Sequence, residues 1–72
     1  MFITYVTEQA VEFLKVSNFK AAKNTIMADC NDRPQLLNMR LLEVKHELTN
    51  SITGLGMHHT NARFQSLFSN KE

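Results

Sequence analysis

Apolar residues recur along this chain at the three- and four-residue intervals of an amphipathic helix, and polar clusters cut the pattern into four segments. In the first segment Ile3, Val6, Ala10 and Phe13 follow one another at three, four and three, with Leu14 beside them. Glu8, Glu12 and Lys15 fall elsewhere, so the spacing predicts a helix from about Thr4 to Val16. Phe2 to Thr7 is rich in β-branched and aromatic residues and also fits a short strand. The helical period continues through Phe13 without a turn signal, which makes helix the preferred reading. Ser17 and Asn18 then interrupt, both of them good N-caps, and the period resumes from Phe19 through Ala22 and Ile26 to about Asp29.

Asn31-Asp32-Arg33-Pro34 is the clearest loop, because Asn and Asp favour turns and Pro34 fits a first helical turn whose N–H has no partner. Asp32 or Arg33 is the expected cap. From Pro34 to about Thr53 the signal is strongest: Leu37, Leu41, Val44, Leu48 and Ile52 form one stripe, widened by Leu36, Met39 and Leu42. Gly54 or Gly56 is the expected left-handed residue after this helix. A last short helix is predicted from about Thr60 to Ser69, carrying Ala62, Phe64, Leu67 and Phe68. The predicted fold class is all-α, a small helical bundle in one domain over residues 1–72. It comprises a helical hairpin over about 4–30, one long amphipathic helix over 34–53 and a short C-terminal helix over 60–69.

Composition narrows what such a bundle can do. Seventy-two residues leave no room for separate cofactor and substrate domains, and 43% hydrophobic with 21% charged residues is globular composition. A formal net charge of +1 removes the usual global field that draws a chain to nucleic acid or anionic lipid. Cys30 is the single cysteine, so no internal disulfide forms and a reducing, cytoplasmic setting is expected. No signal peptide is read at the amino terminus, and no apolar run approaches the roughly 20 residues that cross a bilayer. A chain this short buries only about 60% of its unfolded surface, so a partner or a second copy is expected to supply further burial.

From Val6 to Pro34 the chain resembles one tetratricopeptide repeat, a helical hairpin of about 34 residues. Ala10 and Ala22 stand at the small positions, Phe13 at the aromatic position, Ile26 at the large apolar position and Pro34 at the terminal proline. Ser17-Asn18-Phe19 stands at the turn. Gln9, Ser17 in place of glycine and Asp29 in place of alanine depart from the family pattern. Asp32-Arg33-Pro34-Gln35-Leu36-Leu37 with the helix after it is similar to the proline-loop hairpin of type III secretion needle subunits. The size is similar to the small helical co-chaperones that hold them, which implies work in a complex.

Residues that carry chemistry are scattered. His58-His59, His46 and Cys30 are zinc-type ligands, yet no pair of them has the spacing that sets two ligands on one face, so no metal and no cofactor is expected. Cys30 with His46 has no third orienting residue, and Glu43 with Glu47 reads as a solvated helix face beside Lys45 and His46, so no catalytic residue is assigned and the chain is read as no enzyme. The expected function is protein binding as a small adaptor, subunit or chaperone, by homodimerisation or with another protein, and without a membrane. Leu36, Met39 and Leu42 are the expected interface, and Leu41 and Leu48 are expected to face inward. The alternative is a small helical nucleic-acid-binding regulator of phage or plasmid type, using Lys15, Lys20, Lys23 and Arg33 around the first hairpin.

Overall fold

Four helices follow one another in the computed structural model, which describes residues 3–50 and 56–69. They are α1 (Tyr5–Lys15), α2 (Phe19–Cys30), α3 (Pro34–Thr49) and α4 (His58–Ser66), and no strand occurs among the described residues. The all-α expectation holds, and Ile3 to Thr7 leads into and begins a helix rather than a strand.

Thr4 caps α1 by accepting a hydrogen bond from the Thr7 N–H at 3.3 Å. The helix stops at a left-handed Ser17, φ 61°, where the N–H of Asn18 reaches the Phe13 carbonyl at 2.9 Å and that of Ser17 the Leu14 carbonyl at 3.0 Å. This closure usually employs glycine. Asn18 then caps α2, its Oδ1 accepting from the Ala21 N–H at 3.2 Å. Two further left-handed residues, Asn31 and Asp32, turn the chain into α3, whose first residue is Pro34 and whose cap position is Arg33.

The core lies where these helices meet. Ala10 and Ala22 are fully buried, their small side chains letting α1 and α2 approach, and Leu14, Ile26, Val44, Leu48 and Phe64 fill the space around them. Of the two residues expected to face inward from α3, Leu48 is buried and Leu41 is half-buried against the core. The Cα radius of gyration, 11.3 Å, is that of a compact chain of this length.

Two boundaries depart from the sequence reading. α3 ends at Thr49 rather than near Thr53: its cap residue Asn50 leaves helical geometry, φ −113° and ψ 21°, while its N–H still reaches the His46 carbonyl at 3.0 Å, and the Leu48 carbonyl is taken by the Met57 N–H. Residues 51–55, with Ile52 and Gly54, lie outside the described residues. Gly56 is left-handed, φ 51°, but serves the next helix instead, setting Met57 so that its N–H meets the Leu48 carbonyl at 2.9 Å. α4 therefore starts at His58, before Thr60, and His58 and His59 form its exposed first turn.

Candidate functional site

α3 packs against each of the other three helices, and its faces divide accordingly. Val44 and Leu48 point into the core, with Leu37 and Leu41 half-buried beside them. On the side toward α4 the Gln65 side-chain amide donates to the Leu41 carbonyl at 3.0 Å and to Asn61 Oδ1 at the same distance. Phe64 and Phe68 meet edge to face at 5.1 Å and complete that contact.

On the side toward α1 stands a polar network rather than the solvated carboxylate pair expected from Glu43 and Glu47. Glu43 Oε1 accepts from the hydroxyl of Thr7, which is fully buried, and Thr4 Oγ1 lies 3.1 Å from the same oxygen. The Arg40 Nη1 is 3.7 Å from Glu43 Oε2, and its Nε donates to Asp29 Oδ2 on α2 at 2.8 Å. Three helices are thereby joined through groups that are mostly withdrawn from water.

With Glu43 drawn inward, the outward stripe of α3 is left to Gln35, Asn38, Met39, Leu42, Lys45, His46 and Thr49. Met39 is 54% and Leu42 65% exposed, whereas Leu36 is half-buried and packs against the core at the edge of the stripe. Two of the three residues expected at an interface are thus free, and the third forms its margin. Two shallow depressions run along this stripe. One of about 640 Å³ is lined by Asp32, Arg33, Pro34, Gln35, Leu36 and Met39. The other, of about 320 Å³, is lined by Leu42, Lys45, His46, Thr49 and Asn50. The parts played by Lys45 and His46 were already visible at three and four residues beyond Leu42; that of Asp32 depends on the turn and had no periodic signal.

The remaining chemistry-bearing residues do not converge. Among the described residues no three His, Cys, Asp or Glu side chains lie together in a way that holds a metal ion, and no helix is long and apolar enough to cross a membrane. Cys30 is buried, and burial pushes its thiol up from the ordinary value of 9.0; the Asp29 carboxylate adds to this and Arg40 and Arg33 oppose it. The neutral thiol is thus favoured by the folded state. Its contribution to stability is complete below the unfolded value and is lost as pH rises through the folded one. We expect iodoacetamide at pH 8 to label Cys30 much more slowly in the native chain than in urea, with mass spectrometry as the readout; equal rates would show an accessible thiolate.

The four cations proposed for nucleic acid are also dispersed. Lys15 pairs with Glu12 at 3.4 Å, and Arg33 bends back onto the Cys30 and Asp29 carbonyls at 3.3 and 3.5 Å. Lys20 is exposed and Lys23 half-buried, and the structure adds Arg63, stacked 4.4 Å over the Phe19 ring. No family model, no curated protein and no solved structure matches this chain.

Proposed function

We propose that the chain is a non-enzymatic protein-binding module, a small cytoplasmic adaptor, subunit or chaperone, whose binding face is the outward stripe of α3 at Met39 and Leu42 with Leu36 as its edge. The observation that carries this reading is the exposure of Met39 and Leu42 on a helix whose opposite face already fills the core. Adjacent Met and Leu side chains over shallow depressions are the surface into which an apolar helix face docks. The helical hairpin of α1 and α2, repeat-like in its spacing, serves as the support that holds α3 in place.

A photoreactive benzophenone amino acid in place of Met39 or Leu42, in living cells, tests this. Protein adducts are expected from both positions and not from Glu12, an exposed residue on α1. No adducts from either position, or equal yields from Glu12, would remove the reading. The mass of the adduct separates a second copy from a foreign protein.

A second reading, binding of a polyanion such as nucleic acid, is favoured by Lys20 and Lys23 on α2 and by Arg63 over the Phe19 ring, with no carboxylate between Phe19 and Ala28 or within α4. It ranks lower because Arg63 already covers a face of the aromatic ring that base stacking would use.

A further inference from the structure

The same stripe of α3 has a charge order that chooses its occupant. At its amino-terminal end stands Asp32, exposed and without an ion pair among the described residues. Apolar Leu36, Met39 and Leu42 follow, and the carboxy-terminal end carries Lys45 and His46, both exposed. Arg33, next to Asp32, is turned back onto the carbonyls that end α2. Of the two carboxylates within the helix, Glu43 is committed to Thr4 and Thr7, and Glu47 is half-buried. The face therefore runs acid, apolar, base.

A surface of that order is complementary to itself when a copy is turned end for end. We propose that the occupant of this face is a second copy of the chain, packed α3 against α3 antiparallel about a two-fold axis midway between Met39 and Leu42. The proposal rests on the protein-binding reading of α3 and names its partner. Under this two-fold, Met39 lies on Leu42 of the second copy, and Gln35 opposite its His46. Lys45 falls on Leu36 of the second copy, which lines the same depression as Asp32 of that copy, so its aliphatic stem covers the leucine while its ammonium reaches the carboxylate. Every such contact occurs twice, as an isologous interface requires. A parallel alignment would instead set the two Lys45 ammonium groups beside each other and leave both Asp32 carboxylates unanswered, a like-charge arrangement that disfavours it.

Size sets the strength. α3 has 16 residues and is therefore about 24 Å long, and one helix pair of that length buries an area at the low end for protein interfaces. A dissociation constant of roughly 10 to 100 µM is expected, a dimer that responds to concentration.

The test is sedimentation equilibrium of the whole chain from 10 µM to 1 mM, with circular dichroism to confirm that each variant is folded. Leu42→Gln should leave the chain monomeric throughout. Lys45→Glu should weaken the dimer about tenfold, since each reversal sets two pairs at odds, and Asp32→Lys should do the same. Both reversals in one chain should restore the dimer to within about threefold of the original, which a merely structural role for either residue would not do. Because Asp32 is left-handed, φ 70°, Asp32→Asn serves as a second variant that keeps the turn and removes the charge; it should weaken the dimer about threefold. A wild-type chain that is monomeric at 1 mM, a dimer indifferent to Leu42→Gln, or a double reversal that fails to restore association overturns the two-fold. A monomeric chain that still forms foreign-protein adducts from positions 39 and 42 overturns the two-fold alone. A dimer giving no adducts there overturns the protein-binding reading of α3 as well.

Discussion

Phe64→Ala is expected to cost about 4 kcal/mol of stability, because truncating a fully buried aromatic removes its transfer free energy and leaves a cavity. A chain of 72 residues has roughly 4 to 10 kcal/mol in total, so the variant keeps about 6 kcal/mol at most and loses a large share of its stability. Phe64 matters this much because α4 has so little else. Its nine residues are too few to hold a helix in water, and only Asn61 and Phe64 are buried along it. The phenylalanine shares the core with Val44 and Leu48, so its loss weakens the packing of α3 as well as the docking of α4. Urea denaturation followed by circular dichroism gives the loss, and Leu67→Ala, at a residue 40% exposed, is the control expected to cost less than about 1 kcal/mol. A loss below that for Phe64→Ala would show that α4 contributes nothing to the core.

What the sequence made legible follows from how local each cause is. α1, α2 and the start of α3 were readable because the apolar period and the turn residues at 17–18 and 31–34 are both local, and both act within a few residues of where they stand. The end of α3 was misread for the same reason in reverse. Ile52 continues the apolar period and Gly54 and Gly56 offer a stop, whereas Asn50 leaves helical geometry and the Leu48 carbonyl is taken by the Met57 N–H nine positions on, a contact that a hydrophobic pattern does not record. On the proposed binding face, Met39 and Leu42 were identifiable as a second stripe beside the core stripe, but the half-burial of Leu36 depends on how α3 lies against its neighbours. The ion pair of Asp29 with Arg40 and the stacking of Arg63 on Phe19 join different helices, and no spacing rule points to them.

Glu43 is the clearest case of a cause that spacing cannot show, since its hydroxyl partners stand 36 and 39 positions earlier in the chain. On the helix it looks like one more solvated carboxylate. Once α1 packs on α3, however, the Thr7 hydroxyl is fully buried and needs an acceptor, and Glu43 supplies it while Arg40 compensates its charge. Glu43→Ala is therefore expected to cost about 2 kcal/mol, leaving the buried Thr7 hydroxyl with the Thr4 hydroxyl, 3.0 Å away, as its partner and Arg40 with Asp29 alone. Glu43→Gln keeps an acceptor oxygen at the same place and should cost only about 1 kcal/mol. Thr7→Val should cost about 1 kcal/mol by itself, since Glu43 retains Thr4 and Arg40. In the double variant Thr7→Val with Glu43→Ala, the buried hydroxyl that made the glutamate necessary is gone. The combined loss should then fall short of the two single losses added together by about 1 kcal/mol or more, measured by urea denaturation of all four chains. Strict additivity would mean that the two side chains stabilise the fold independently, and that Glu43 is the solvated surface residue its place on the helix first suggests.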